Sequence, residues 1–151
     1  MSSDDITNEN DNQTEKGSFI SQLDILLGGL HEFKVPTTCS RYTIYIIECN
    51  GVYKIGSTSN IKSRLITIQT SNPNPISIVH AIPIPISYEH REVEKALHTI
   101  FANVHSIGEW YNLCPQDIER IKTISIDDIL QTAQKMRVIK DANDQKQSTL
   151  F

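Results

Sequence analysis

Arg64 is a charged residue at a position where packing alone would not favour a charge. Arg64 lies three residues after Ile61 and four before Ile68, so it flanks the apolar stripe of a predicted helix. A guanidinium there needs an anion, which a carboxylate or a phosphate can supply. A structural ion pair, or an apolar stem lying along the surface, also explains Arg64. The pattern therefore leaves both a binding role and a structural role open.

A second set of polar groups lies along one edge of a later helix. Glu94 borders the apolar face, with His90 four residues before it and His98 four residues after it. Groups at this spacing are neighbours on a helix, and imidazole and carboxylate are typical metal ligands and proton carriers. Histidines on a helix flank are more often packed or solvated, so spacing alone does not decide between these roles.

The elements that position these groups begin with a β-hairpin. Residues 42–47 are β-branched or aromatic, Asn50-Gly51 is the favoured pair for a type I′ turn, and residues 52–56 return. Tyr45 and Tyr53 are expected to lie near each other on its two arms, where simple aromatic packing is the alternative to chemistry.

Lys54 and Gly56 follow Tyr53 on the returning strand. Glycine lets a ligand or a neighbouring backbone come close, and lysine adds a positive charge. This part of the strand is therefore a candidate contact for an anion.

The remaining elements follow from apolar periodicity and turn residues. Pro83 and Pro85 share one parity, which suits an edge strand. The predicted elements are a helix after Ser59 or Asn60, ending before the turn at residues 71–75; a strand over 76–86; a helix after Ser87 that buries Val93, Ala96, Leu97, Ile100 and Phe101; a short strand or extended loop over 108–113; and helices over 115–122 and 126–140.

These elements predict an α/β (α+β) fold, with a small three-stranded antiparallel sheet and flanking helices. The expected organisation is a disordered acidic tail (1–17), a helix and linker (18–38), the domain proper (39–113), C-terminal helices (114–141) and a frayed tail (142–151). The amphipathic helix over 18–30 either packs on the domain or binds a partner.

Composition limits the class of protein. The net charge is -4, but residues 1–17 carry five acidic residues against one lysine, which leaves the remainder near neutral. A nucleic-acid site would therefore be a local basic cleft. No apolar run reaches the roughly 18 to 20 residues that span a bilayer, and an intracellular location without a membrane is expected. Cys39, Cys49 and Cys114 lack zinc-ligand spacing and are expected to be buried thiols.

The order of the motifs resembles the GIY-YIG nuclease superfamily, and more closely its branch of phage-type DNA-binding domains and meiotically up-regulated fungal proteins. The resemblance covers about half of the chain. It rests on Thr43-Ile-Tyr45, Tyr53-Lys-Ile-Gly56-Ser-Thr, Asn60-Ile-Lys-Ser-Arg64-Leu, Glu92-Val-Glu94-Lys-Ala-Leu-His98-Thr-Ile-Phe101 and Gly108-Glu-Trp110-Tyr.

Residue by residue, Tyr45 matches the tyrosine of the first family motif, and Ile55-Gly56 matches the end of the second. Arg64 matches the helical arginine. Glu94 matches the glutamate that holds the metal in catalytic members. The sequence departs from the motifs of the family name at two positions. Thr43 replaces the first glycine, and Lys54 replaces the tyrosine of the second motif.

The resemblance implies DNA binding and phosphodiester hydrolysis with one Mg²⁺ or Mn²⁺ ion on Glu94. Arg64 would hold the scissile phosphate, and Tyr53 or Lys54 would also contact phosphate. Tyr45 would position or deprotonate the attacking water, and His98 would orient a metal-bound water. The implied DNA contacts are Lys54, Gly56, Lys62, Arg64 and Trp110, although Trp110 is equally suited to core packing.

Two other functions stay open. The chain could be a DNA-binding module of the same fold with weak or lost catalysis, which the near-neutral charge and the second-motif lysine favour. Alternatively, it is a protein-interaction adaptor in which Arg64 and Glu94 form an ion pair in the core. A partner docking on the terminal helices is compatible with each.

Overall fold

The computed structural model describes residues 26–27 and 40–149. It contains one antiparallel sheet with the strand order β3-β1-β2-β4. The elements are β1 (Ser40–Cys49), β2 (Val52–Thr58), α1 (Ile61–Thr70), β3 (Ser77–Pro85), α2 (His90–Ile100), a 3₁₀ helix (Ala102–Val104), β4 (Trp110–Tyr111), α3 (Pro115–Thr123) and α4 (Ile126–Ser148).

The α+β class is confirmed, and the strand count is corrected from three to four. β4 pairs with the outer edge of β2 through Tyr53↔Tyr111 and Lys54↔Trp110. The turn before it contains Gly108 at φ +57°, which lets the chain reverse and approach β2. With only two residues, β4 leaves the far end of β2 without a neighbouring strand on that side in the part of the chain that the structure describes.

The hairpin turn forms as its sequence predicts. Asn50 and Gly51 both have positive φ, at 51° and 80°, as a type I′ turn requires. The Gly51 amide also donates a 2.7 Å hydrogen bond to the Glu48 carboxylate. The turn fixes the register of the hairpin, beginning with the pair Cys49↔Val52.

That register shows that the expected proximity of Tyr45 and Tyr53 is wrong. Tyr45 lies opposite Gly56, whereas Tyr53 lies opposite Glu48. The two tyrosines are offset by an odd number of positions, so their side chains point to opposite faces of the sheet. Tyr45 belongs to the apolar cluster on one face, and Tyr53 packs against the cluster on the other.

Each face of the sheet carries its own apolar cluster. One face packs against α2 and α4 around Ile46, Ile55, Leu97 and Ile129. The opposite face packs against α1, and Leu26 joins it there. The central strands β1 and β2 are thus covered on both sides, which fixes the positions of α1 and α2 relative to the end of β2.

The edge position of β3 agrees with its two prolines, since neither residue can donate a ladder hydrogen bond. α3 begins with Pro115, as the sequence predicts. Cys114 is exposed, which corrects the expectation of a buried thiol, because it precedes the first turn of α3 at the surface. No helix in the described ranges combines the length and the hydropathy needed to cross a membrane.

The C-terminal helix is longer than predicted. α4 continues past Lys140 to Ser148, so the expected frayed segment is helical as far as that residue. Its last turns are exposed, and residues 140–148 include two Lys, two Gln and one Ala, which have high helix propensity. The predictions for residues 1–17 and 18–38 fall outside the described residues, apart from Leu26 and Leu27, which are helical.

Candidate functional site

The site begins where β2 passes into α1. Asn60 caps α1, and its side chain accepts a 3.0 Å hydrogen bond from the Ser63 amide. This cap fixes the first turn, from which Arg64 extends back toward the sheet. The Arg64 Nε atom donates a 3.1 Å hydrogen bond to the hydroxyl of Tyr45 on β1. The Asn60 cap therefore helps to position exposed Arg64 for its hydrogen bond to buried Tyr45.

Gly56 makes this arrangement possible. It lies opposite Tyr45 in the hairpin register. A Cβ atom at position 56 would stand 2.6 Å from Cζ of Tyr45, closer than carbon atoms can approach without displacement. The absence of a side chain thus lets the Tyr45 ring approach the β2 backbone closely and its hydroxyl reach Arg64.

The phenol of Tyr45 is held in its neutral form. Its side chain has no exposed surface. Burial raises the pKa of Tyr45 above its ordinary value, as do the charges of Glu109 and Glu94, while Arg64 partly opposes that rise. At neutral pH the hydroxyl accepts a hydrogen bond from Arg64 and keeps its own proton.

α2 brings a carboxylate to the same end of β2. The Ser57 hydroxyl donates a hydrogen bond to Oε2 of Glu94. One turn later, Nε2 of His98 lies 3.1 Å from the carbonyl oxygen of Ile55. Both contacts join α2 to β2, and they hold Glu94 beside the end of the strand that β4 does not cover.

Glu109, which the sequence analysis did not single out, completes the set of charges. Its carboxylate pairs with the ammonium of Lys54, and its carbonyl accepts a 3.1 Å hydrogen bond from the Ile55 amide. Lys54 also lies 5.9 Å from the centroid of the Trp110 ring. Burial acts to raise the pKa of Glu109, but the hydrogen bond and charge of Lys54 bring the net pKa below its ordinary value.

These groups lie around the end of β2, with Arg64 on the face that α1 covers and Glu94 on the face that α2 covers. Arg64 and Glu94 do not pair directly with each other among the described residues. The hydrogen bond to Tyr45 is the main cause that raises the pKa of Arg64, and the charges of Glu109 and Glu94 add to it. The negative charges of Glu109 and Glu94 therefore both act on Arg64, although α1 and α2 cover opposite faces of the sheet.

Comparison with known families matches residues 42–126, more than half of the chain, to the model of the T5orf172 domain. The chain belongs to the T5orf172 domain family. This is a phage-associated domain related to nucleases, which suggests a nuclease or DNA-binding role. No curated protein and no solved structure matches the chain significantly.

All the charged groups of the site fall inside the T5orf172 match. Two of the residues singled out from sequence do not join them. Tyr53 lies on the opposite face of the sheet from Tyr45. His90 stacks on Tyr42, with ring centroids 3.6 Å apart, and contacts Glu89 at 3.2 Å. The expected ladder of His90, Glu94 and His98 is therefore broken at its first member.

The other predicted DNA contacts differ in exposure. Lys62 is exposed on α1. Trp110 is half-buried and packs against the cluster of the α1 face, beside Lys54. The ammonium of Lys54 is already paired with Glu109. Among these three residues, only Lys62 presents an exposed cation with no ion pair to any described residue.

The donor set near Glu94 suits a hard cation bound through few protein ligands. In residues 26–27 and 40–149, no three acidic, histidine or cysteine side chains are grouped as a metal cage. Oε2 of Glu94 accepts the Ser57 hydrogen bond, and Oε1 makes no hydrogen bond to the described residues. Mg²⁺ is commonly held by one or two carboxylates together with water and substrate phosphate, so the T5orf172 domain offers a fitting ligand.

Proposed function

We propose that this T5orf172 domain is a DNA endonuclease of the GIY-YIG type, which hydrolyses a phosphodiester bond with one Mg²⁺ or Mn²⁺ ion. The observation that carries the proposal is the bond from Arg64 to Tyr45, set within reach of the charges of Glu94 and Glu109. A protein adaptor with Arg64 and Glu94 paired in its core does not explain why each residue has a different partner.

Arg64 binds the scissile phosphate. Its Nε–H is used by Tyr45, which leaves the two terminal amino groups of an exposed side chain for an anion. A guanidinium held at one nitrogen presents those donors in a fixed plane, which suits two oxygens of one phosphate. It also stabilises the negative charge that grows on the phosphate during hydrolysis.

Glu94 is the residue that holds the metal, with Ser57 orienting its carboxylate. When held there, Mg²⁺ or Mn²⁺ would supply neutralisation of charge on the phosphate and on the leaving oxygen. His98 is engaged with the Ile55 carbonyl, so its role is to fix the turn of α2 that follows Glu94.

Tyr45 is a positioning residue. Full burial keeps it away from the attacking water, and its raised pKa makes it a poor general base. Glu109 is ionised, partly exposed and electrostatically linked to both Arg64 and His98. We assign to Glu109 the orientation of the attacking water, with Lys54 fixing the direction of its carboxylate.

A nicking assay tests the function. Purified protein is incubated with supercoiled plasmid and Mg²⁺ or Mn²⁺, alongside Glu94→Ala, Arg64→Ala and the control Lys122→Ala, whose site lies near β3 at the far edge of the sheet. We expect nicking by the wild type and the control, and loss of nicking in the other two. Equal nicking by all four proteins, or nicking by none, contradicts the proposal.

A DNA-binding module without hydrolysis is the second candidate. The observation that favours it is the burial and raised pKa of Tyr45, which remove the phenol as a base. Such a module binds DNA with an affinity that falls linearly in log salt, and it does so equally well in EDTA. Salt-dependent binding without nicking in either metal selects this alternative.

A further inference from the structure

An open cleft lies between α2 and α4, next to the proposed site. Its volume is about 660 Å³. The lining residues come from α2, the 3₁₀ helix and the middle of α4: Lys95, His98, Thr99, Ala102, Asn103, Met136, Arg137 and Lys140.

The charge of the cleft is of one sign. Lys95, Arg137 and Lys140 line it, and its lining contains no acidic residue. Neither Arg137 nor Lys140 forms an ion pair with another described residue. Lys95 meets Glu92 at 3.8 Å, but both side chains are more than half exposed, so the pair is weak.

Packing of α4 does not account for these cations. The helix docks through Ile129 and Ala133, which are buried against α2, whereas its residues from Gln134 onward are exposed. Arg137 and Lys140 are three positions apart and therefore share one face of the helix. Substituting them removes charge from the cleft without removing buried contacts.

The cleft continues directly from the proposed site. His98 lines the cleft, and it also contacts the Ile55 carbonyl on β2. Glu94 precedes His98 by one turn of the same helix, about 6 Å along its axis at 1.5 Å per residue. Each DNA strand carries one phosphate per roughly 3.4 Å of duplex axis, so the cleft begins within a few nucleotides of the site.

We propose that the α2–α4 cleft binds the sugar-phosphate backbone of the DNA strand that flanks the cleavage site. The inference rests on the proposed function, which supplies the DNA. Asn103 adds an amide donor suited to phosphate oxygens. The T5orf172 match ends at residue 126, so Arg137 and Lys140 provide this chain with a contact beyond the matched region.

Fluorescence anisotropy with a labelled 30-base-pair duplex in EDTA, titrated between 50 and 200 mM salt, tests the cleft. We expect Arg137→Gln/Lys140→Gln to weaken binding by about tenfold and to reduce the slope of log affinity against log salt by about 2, or roughly 0.9 for each phosphate that is no longer neutralised. Arg120→Gln/Lys122→Gln removes the same charge from α3 and should stay within twofold of the wild type. Arg137→Lys/Lys140→Arg keeps both charges and should bind as the wild type does.

Each result decides between the proposals. If the Gln double variant binds like its α3 control, the cleft proposal is overturned, and plasmid nicking by the same proteins still tests the function. If wild-type protein binds through Arg137 and Lys140 but nicks no plasmid, the cleft is supported and hydrolysis fails. If wild-type protein does not bind DNA, both proposals fall.

Discussion

Nε of Arg64 and the hydroxyl of Tyr45 are joined by a 3.1 Å hydrogen bond across the interface of α1 and the sheet. One partner is exposed and charged, and the other is fully buried and neutral. The buried partner is itself fixed by its neighbours on two adjacent strands, Gly56 and Ala81. The orientation of the guanidinium is therefore set from inside the protein.

Tyr45→Phe tests this positioning role. The variant keeps the ring and loses the acceptor for Arg64, so we expect roughly tenfold slower nicking and a loss of about 1 kcal/mol in the free energy of unfolding. Nicking rate against pH should keep its shape, because the phenol is not the base. A pH limb that is present in the wild type and absent from the variant would assign the proton transfer to Tyr45 instead.

Gly56→Ala should displace the Tyr45 ring and, with it, the hydrogen bond to Arg64. The added methyl group collides with the Tyr45 ring, and we expect a cost of about 1–3 kcal/mol in the free energy of unfolding together with slower nicking. Gly51→Ala is the matched control: its Cβ meets no atom within 4 Å, but φ +80° makes alanine strained. Denaturant unfolding should show a loss of stability in both variants. Nicking rate at saturating DNA should fall in Gly56→Ala and stay unchanged in Gly51→Ala.

Ser57→Ala should raise the Mg²⁺ concentration that nicking requires. Without the Ser57 hydroxyl, the Glu94 carboxylate is no longer oriented, and the Mg²⁺ concentration for half-maximal nicking should rise about 10- to 100-fold. Ser59→Ala, at an exposed position two residues away, serves as the control. An unchanged Mg²⁺ requirement in Ser57→Ala would contradict the metal role of Glu94.

Glu109 should contribute stability that depends on pH. Its pKa is lower in the folded chain than in the unfolded one, so ionised Glu109 stabilises the fold above the unfolded pKa of about 4.3. That stabilisation is lost as pH falls through the lower folded value. The difference in unfolding free energy between wild type and Glu109→Gln should therefore be present at pH 7 and shrink as the pH falls below the unfolded pKa. In a Lys54→Met background this stabilisation should be lost, because burial, the largest influence on the pKa of Glu109, then acts against its charged form.

Local sequence determines much of the architecture. Asn50-Gly51 specifies the hairpin, Asn60 caps α1, and Pro115 opens α3, each through the chemistry of a few neighbouring residues. Apolar periodicity also locates α2 correctly, since its buried residues repeat at helical spacing. These features need no knowledge of the rest of the chain.

Long-range relationships are harder to predict from the sequence. The predicted proximity of Tyr45 and Tyr53 requires a hairpin register that is wrong by an odd number of residues. The observed register, set by the pair Cys49↔Val52, puts the two side chains on opposite faces of the sheet. Glu109 gives no local signal because its partner, Lys54, is distant in the sequence, and only the pairing of β2 with β4 brings the two together. Nor does spacing along α2 reveal that His90 stacks on Tyr42 of β1.

The docking of α4 makes the folding unit larger than the family unit. The T5orf172 match stops at residue 126, yet Ile129 and Ala133 are almost completely buried against α2, the helix that carries Glu94. A fragment trimmed at the match boundary would expose apolar surface behind the helix that carries Glu94. Loss of activity in such a fragment would report unfolding rather than missing chemistry.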